Sequence, residues 1–282
     1  MRCLLPFLSL VLFTTGCTPT IPYVPVFEGE RIFVESYLAP SEVASAYVGR
    51  TFAIGEIPKT VYLDNATVEL WENGNKIDVL KHQKEGNYQS ARGFRPKVGS
   101  AYSLKVQAGS LPPVESEAVV VPQPYPFKKL ETFQTPGQNE GVPAIGVTIF
   151  PKTNQPGYYG YRIVPYFVGY PNLGFVWEVG KEREVTNDCQ FRRTLYFARC
   201  GGSVSYGLHL AQSVSSNTIK ATLAYAELYV VSQSYYDFQY NQKLQPTYLQ
   251  RAFFEPIESY TNMKGGYGVL GTFNKMQVSI PL

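Results

Sequence analysis

Short alternating segments dominate the first half of the chain. Residues 31–38, Arg-Ile-Phe-Val-Glu-Ser-Tyr-Leu, have the composition of a strand. Residues 66–72 alternate, which puts Ala66, Val68 and Leu70 on one face. Asn73-Gly74-Asn75 then supplies a turn, and residues 76–80 can return as the hairpin partner. Gly86-Asn87-Tyr88 opens another short strand, residues 101–107 carry Tyr102, Leu104 and Val106 on one face, and residues 117–121 close the set. Strands of this length and spacing predict an immunoglobulin-like β-sandwich over residues 28–122. In that frame Trp71 and Tyr102 read as core residues rather than binding platforms.

Pro122-Gln123-Pro124-Tyr125-Pro126 cannot lie in a central strand and marks a boundary. Beyond it, residues 127–282 read as a second β-rich domain. Residues 157–164 and 222–231 are its clearest strands, and 276–280 alternates at its end. One segment looks helical, residues 234–245. Ser234 is its expected cap, Tyr235, Phe238 and Gln242 share a face, and Pro246 follows. The expected class is therefore mainly β, with a sandwich followed by a β-rich domain bearing one short helix.

Composition sharpens this picture. Of 282 residues only 17% are charged, while Tyr (22), Phe (17), Gly (24) and Pro (21) are abundant. Aromatics suit pleated, half-buried surfaces, and Gly and Pro interrupt helices. The net charge of +3 is spread along the chain, and Arg192-Arg193 is the nearest approach to a basic cluster. A nucleic-acid partner needs a basic stripe, so none is expected.

The first residues follow another plan. Met1-Arg2 is a positive start, residues 4–13 are an apolar run, and Thr14-Thr15-Gly16 places small residues before Cys17. A charged start, a short apolar centre and a small-residue cleavage site make a secretory signal, here over residues 1–16. The run is shorter than the roughly 20 residues that span a bilayer. Gly16-Cys17 resembles the bacterial lipobox, which implies lipid on Cys17. Each buried methylene is worth ~0.8 kcal/mol and stable anchoring takes more than one acyl chain, as on a diacyl or triacyl cysteine. Residues 17–27 contain Pro19, Pro22 and Pro25, the composition of an extended tether.

Four cysteines occur. Cys3 lies in the segment expected to be removed and Cys17 is the lipid site. Cys189 and Cys200 remain as an even pair in an oxidising compartment, and a disulfide is the simplest assignment. Closing so short a loop is worth roughly 2–3 kcal/mol on the loop-entropy account. A metal site would need further ligands, and the only histidines are His82 and His209.

Catalytic readings do not hold. Gly266-Tyr267-Gly268-Val269-Leu270-Gly271 matches G-x-G-x-x-G in form, but no βαβ unit surrounds it. Ser205 is preceded by Ser203 where a nucleophile elbow needs glycine. Asp188, Asp237, Glu255 and Glu258 supply carboxylates for glycoside hydrolysis, although ordinary surface charge is the simpler reading. No cofactor and no enzymatic activity is expected.

The order of segments resembles a Bacteroidota lipoprotein family catalogued as domain of unknown function 4249. The carriers are Ala66-Thr67-Val68, Gly86-Asn87-Tyr88, residues 99–104, residues 157–162, Tyr235-Tyr236-Asp237-Phe238, Glu255-Pro256, Asn262 and residues 265–271. The resemblance implies an outer-membrane lipoprotein, anchored by its N-terminal lipid and working beside a TonB-dependent receptor in nutrient uptake. Either face of the outer membrane remains open. Two other functions stay in view. One is a glycan-binding protein or glycoside hydrolase using exposed Tyr and Trp, with a glycan or peptide as ligand; the other is a structural or adhesive protein.

Overall fold

The computed structural model describes residue 27 and residues 29–53, 60–125, 127–135, 144–151, 158–166, 197–198, 204–209, 223–244 and 259–281. The first eight strands are β1 (Ile32–Leu38), β2 (Ser45–Arg50), β3 (Thr67–Glu72), β4 (Asn75–Lys84), β5 (Asn87–Gln89), β6 (Ala101–Gln107), β7 (Val114–Ser116) and β8 (Val119–Val120). Six more follow: β9 (Phe127–Thr135), β10 (Ala144–Pro151), β11 (Tyr158–Tyr166), β12 (Phe197–Ala198), β13 (Val204–His209) and β14 (Leu223–Val231). Helix α1 (Gln233–Leu244) precedes β15 (Met263–Lys264) and β16 (Tyr267–Pro281). The protein is mainly β, with one short helix among the described residues.

Thirteen strands form one curled sheet in the order β12-β11-β14-β16-β1-β2-β5-β4-β3-β6-β7-β15, with β8 on β6. A smaller sheet runs β13-β10-β9. The curl depends on β4, whose first half pairs with β3 (Asp78 opposite Leu70) and whose second half pairs with β5 (His82 opposite Tyr88). The two runs of strands thereby face each other over one core. Ile32, Val34 and Leu38 from β1 meet Val68 and Leu70 from β3 and Tyr102, Leu104 and Val106 from β6 there. Burying an aliphatic or aromatic side chain of this size contributes roughly 1.5–3 kcal/mol. The alternation expected in residues 66–70 and 101–107 is thus the alternation of core and outer face, and residues 31–38, expected as a strand from composition, alternate in the same way.

Two buried tyrosines also satisfy their hydroxyls. Tyr88 Oη donates to Leu63 O (2.7 Å) and accepts from Ala66 N–H (2.8 Å). Tyr102 Oη donates to Glu72 Oε1 (2.7 Å) and accepts from Lys97 N–H (2.8 Å). Each pins a loop to the core, which removes the penalty of an unpaired buried hydroxyl. The β3–β4 turn has only two residues, Asn73 (φ 49°) and Gly74 (φ 82°), as a type I′ turn requires.

The structure corrects several expectations. Trp71 is not in the core: it follows buried Leu70, so alternation turns it outward, where Lys105 Nζ lies 4.6 Å from its ring centre. Of the strand expected at 117–121 only β8 (Val119–Val120) forms, and a separate short strand, β7, precedes it at Val114–Ser116. The helix begins one residue early and is capped by Ser232 rather than Ser234. Ser232 Oγ accepts the Tyr235 N–H (3.3 Å), and Tyr236 N–H donates to Ser232 O (3.1 Å). Ser234 Oγ is instead buried and donates to Leu270 O (2.9 Å).

Residues 121–125 are free of strand, as their prolines require, yet the sheet continues across that boundary. The last strand, β16, runs parallel to β1 from Phe33 opposite Tyr267 to Leu38 opposite Thr272. Its second half pairs with β14, from Val231 opposite Phe273 to Leu223 opposite Pro281. Thr272 Oγ1 donates to Val120 O (2.7 Å) and Asn274 Nδ2 to Pro122 O (3.1 Å). The group of strands drawn at 28–122 therefore has its outer neighbour supplied by residues 267–272.

Candidate functional site

Helix α1 packs where β1, β11, β14 and β16 come together, and the contact is made largely by tyrosine. Tyr236 and Tyr240 are four residues apart, so they share one helix face; their rings stack at 5.8 Å with a 10° interplanar angle. Tyr158 of β11 continues the stack behind Tyr236 (5.0 Å, 30°). Tyr235 turns the other way, against Tyr37 of β1 (4.5 Å) and Phe273 of β16 (6.0 Å). Ala39, Val231 and Phe273 are the buried floor beneath these rings. Tyr240, at 45% exposure, is the ring the seam presents to solvent.

Polar groups run along the same seam. Gln239 Nε2 donates to Tyr37 Oη (2.9 Å), and Tyr229 Oη donates to Glu227 Oε2 (2.7 Å). Asp237 lies half-buried between Tyr236 and Phe238. Burial raises its carboxyl above the usual carboxylate value, while a hydrogen bond from the Gln233 side chain works against that shift. Burial also raises the Tyr236 hydroxyl, helped by Tyr240, Asp237 and Tyr158. Tyr260 is raised by burial first, then by Asp237 and Glu117.

The helix is fixed to the sheet by a chain of hydroxyls. Ser234 gives its proton to Leu270 O, which leaves Ser232 to donate to Ser234 Oγ (3.1 Å). Ser232 Oγ in turn accepts the backbone N–H of Thr272 (3.0 Å). Stacking covers the inner ring faces, so the aromatic surface the seam offers a ligand is the exposed Tyr240 ring at its end. Acid–base hydrolysis needs a second carboxylate, and Asp237 is the only member of the four expected carboxylates that is described.

The other expected residues fall as follows. Cys17, Cys189, Cys200, Asp188, Glu255, Glu258 and Trp177 lie outside the described residues. His82 Nε2 is 2.8 Å from Asp64 Oδ1 and its ring packs on Tyr88. Ser205 lies within β13 opposite Thr148, and His209 ends that strand. Among the described residues, no three His, Cys, Asp or Glu side chains gather as a metal site, and no helix is long and apolar enough to cross a membrane.

The glycine-rich segment 265–271 leads into β16, and its role is close approach. A Cβ on Gly268 would collide with the Val34 carbonyl oxygen, and the backbone there has φ +113°. A Cβ on Gly266 would collide with Ile32 O. Asn262 completes the device by pairing its side-chain amide with the backbone of Leu270. Over residues 17–279 the chain matches the family described as a domain of unknown function, DUF4249. The chain belongs to this family. No curated protein matches it. In this DUF4249 fold, the C-terminal residues that carry the family resemblance thread β16 against β1, a structural task.

The tyrosine seam was not visible as a site in the sequence. The one available signal was the Tyr236–Tyr240 spacing on a helix; Tyr37, Tyr158 and Tyr229 reach the seam only through strand pairing.

Proposed function

We propose that the protein is a lipid-anchored outer-membrane lipoprotein, a non-enzymatic binding or accessory component working beside a TonB-dependent receptor in nutrient uptake. The observation that carries this reading is the leader-like segment ending at Gly16-Cys17. The family match that begins at residue 17 itself supports it. The Pro-rich residues after Cys17 supply a tether, and the tyrosine seam supplies a surface for ligand or receptor. Mass spectrometry of the N-terminal peptide from native membranes should find diacyl or triacyl Cys17. Gentle solubilisation should bring down a β-barrel receptor. An unmodified N-terminus elsewhere, or a clean monomer, would count against the proposal.

A second reading, glycan binding, is favoured by the Tyr158–Tyr236–Tyr240 stack ending in an exposed ring. Calorimetric titration with an oligosaccharide panel tests it. Binding lost in Tyr240→Ala would support the reading, and no heat with any member would remove it.

A further inference from the structure

Among the described residues six large apolar side chains are strongly exposed: Phe27, Phe52, Val98, Val120, Tyr240 and Tyr267. Three of them belong to the end of the body where the chain enters β1. Tyr267 is the register partner of Phe33, and strand parity places both on the face opposite buried Ile32 and Val34. Phe33 and Phe52 line one surface depression of about 410 Å³, together with Tyr47 and Val61. Arg31 N–H donates to Thr51 Oγ1 (3.0 Å) and Thr51 N–H to Arg31 O (2.9 Å), which holds Phe52 beside the start of β1. Phe27 lies three residues before Glu30, whose carboxylate pairs with Arg50. Phe27, Phe52 and Tyr267 are 42%, 43% and 42% exposed; Phe33 links Phe52 to Tyr267, and Phe27 lies in the chain that enters β1, so this end carries several exposed aromatic rings.

The other end of β1 is built differently. Arg95 donates to Ser41 O, and Ala44 N–H donates to Phe94 O, so residues 94 and 95 sit over the turn that follows β1. Gly99 N–H donates to Val121 O, and the neighbouring Val120 carbonyl accepts from Thr272 Oγ1, opposite Leu38, which places Val98 at this same end. Tyr37, near that end, carries α1 and the tyrosine seam. The seven residues of β1 separate the two ends by roughly 20 Å at strand rise.

We propose that the rim formed by Phe27, Phe33, Phe52 and Tyr267 rests in the headgroup layer of the membrane that holds Cys17, and so turns the tyrosine seam away from that membrane. The proposal rests on the lipid-anchor reading above. Phe27 is ten positions after Cys17, and an extended proline-rich chain covers about 3.1 Å per residue. The end bearing the rim is the one that the lipid-bearing chain joins, and it lies within that chain's reach of the lipid surface. Tyr rings are favoured at the boundary between headgroups and acyl chains, and Phe rings bury into that boundary on surface-lying elements. Arg50 is paired to Glu30, and the contact assigned to the rim is made by its aromatic rings, so zwitterionic lipid suffices. Acyl chains supply the anchoring and the rim supplies orientation.

The test uses the full chain, acylation verified by mass, reconstituted in vesicles of zwitterionic phosphatidylcholine with or without bromine on the acyl chains. Phe52→Trp and Tyr267→Trp report on the rim, and Val98→Trp on the opposite end. The parent protein, with Trp71 and Trp177, gives the background to subtract. All three positions are exposed, so the substitutions do not disturb the core. Brominated lipid should quench the Phe52→Trp and Tyr267→Trp signals several-fold more than the Val98→Trp signal, and high salt should not change this. Equal quenching at both ends, or none at the rim with acylation confirmed, overturns the orientation alone. Absence of acyl groups on Cys17 overturns the anchor and the orientation with it.

Discussion

The side-chain amide of Asn262 stands in for a neighbouring strand at Leu270. Its Oδ1 accepts the Leu270 N–H and its Nδ2 donates to the Leu270 carbonyl, each at 2.9 Å. Both residues are buried. β1 occupies the other side of β16 there, and β14 joins β16 only from Phe273 onward. The amide thus satisfies a stretch of backbone that the sheet leaves unpaired.

Asn262→Leu keeps the volume but removes both bonds, leaving the Leu270 N–H buried without a partner; Ser234 still serves the carbonyl. An unsatisfied buried donor costs about 1–3 kcal/mol. Urea unfolding should show a loss of that size, with an unchanged denaturant slope. Wild-type stability in this variant would mean that water replaces the amide.

Gly268→Ala should be more damaging. The new methyl meets the Val34 carbonyl oxygen, and the backbone must hold φ at +113°. Backbone strain alone costs about 1–3 kcal/mol, and the collision adds to it by pushing β16 from β1. We expect a clear fall in melting temperature. Amide exchange should become faster across residues 33–38, including strand positions distant in sequence from the substitution.

Ending the chain at Gly266 removes β16 and uncovers the outer edge of β1 and one edge of β14. An open edge strand is a template for pairing with other chains. The shortened protein should aggregate, and limited proteolysis should cut within residues 29–53. A soluble, protease-resistant product would show that β1 stands without its parallel partner.

Asp237 gives a pH dependence of definite sign. Its folded-state pKa lies above the ordinary value of 3.8, chiefly through burial. The folded protein then binds more protons than the unfolded chain between those two values, so this contribution falls as pH rises through that window. Asp237→Asn should therefore exceed the parent in stability at neutral pH and match it under acid. Glu72 has the opposite sign: the hydrogen bond from Tyr102, the largest cause, lowers its pKa below 4.5. Its contribution is present above that value and fades as pH falls through the lowered one. Thermal melts of Asp237→Asn and Glu72→Gln across an acid-to-neutral series would separate the two.

Much of the fold was readable because one face of each early strand is buried. Val68 and Leu70, or Tyr102, Leu104 and Val106, announce their face by spacing alone. Asn73-Gly74 announces its turn by needing positive φ at two successive residues. What could not be read depends on partners far along the chain. Ser234 has the look of a helix cap, but the Leu270 carbonyl, 36 residues on, takes its hydroxyl and leaves capping to Ser232. The pairing of Phe33 with Tyr267 leaves no local mark beyond glycines that the close approach requires. The tyrosine seam was hidden for the same reason, since its rings come from β1, β11, β14 and α1.

The parallel seating of β16 beside β1 also bears on biogenesis. A polypeptide emerging amino end first exposes Phe33–Leu38 long before the segment that covers it is made. Regions made first usually fold first, but this one must wait through more than two hundred residues of synthesis or translocation. The nascent chain is then expected to stay dependent on holding chaperones until residues 267–281 are released. A series of arrested chains should become protease-resistant abruptly at that length rather than in stages.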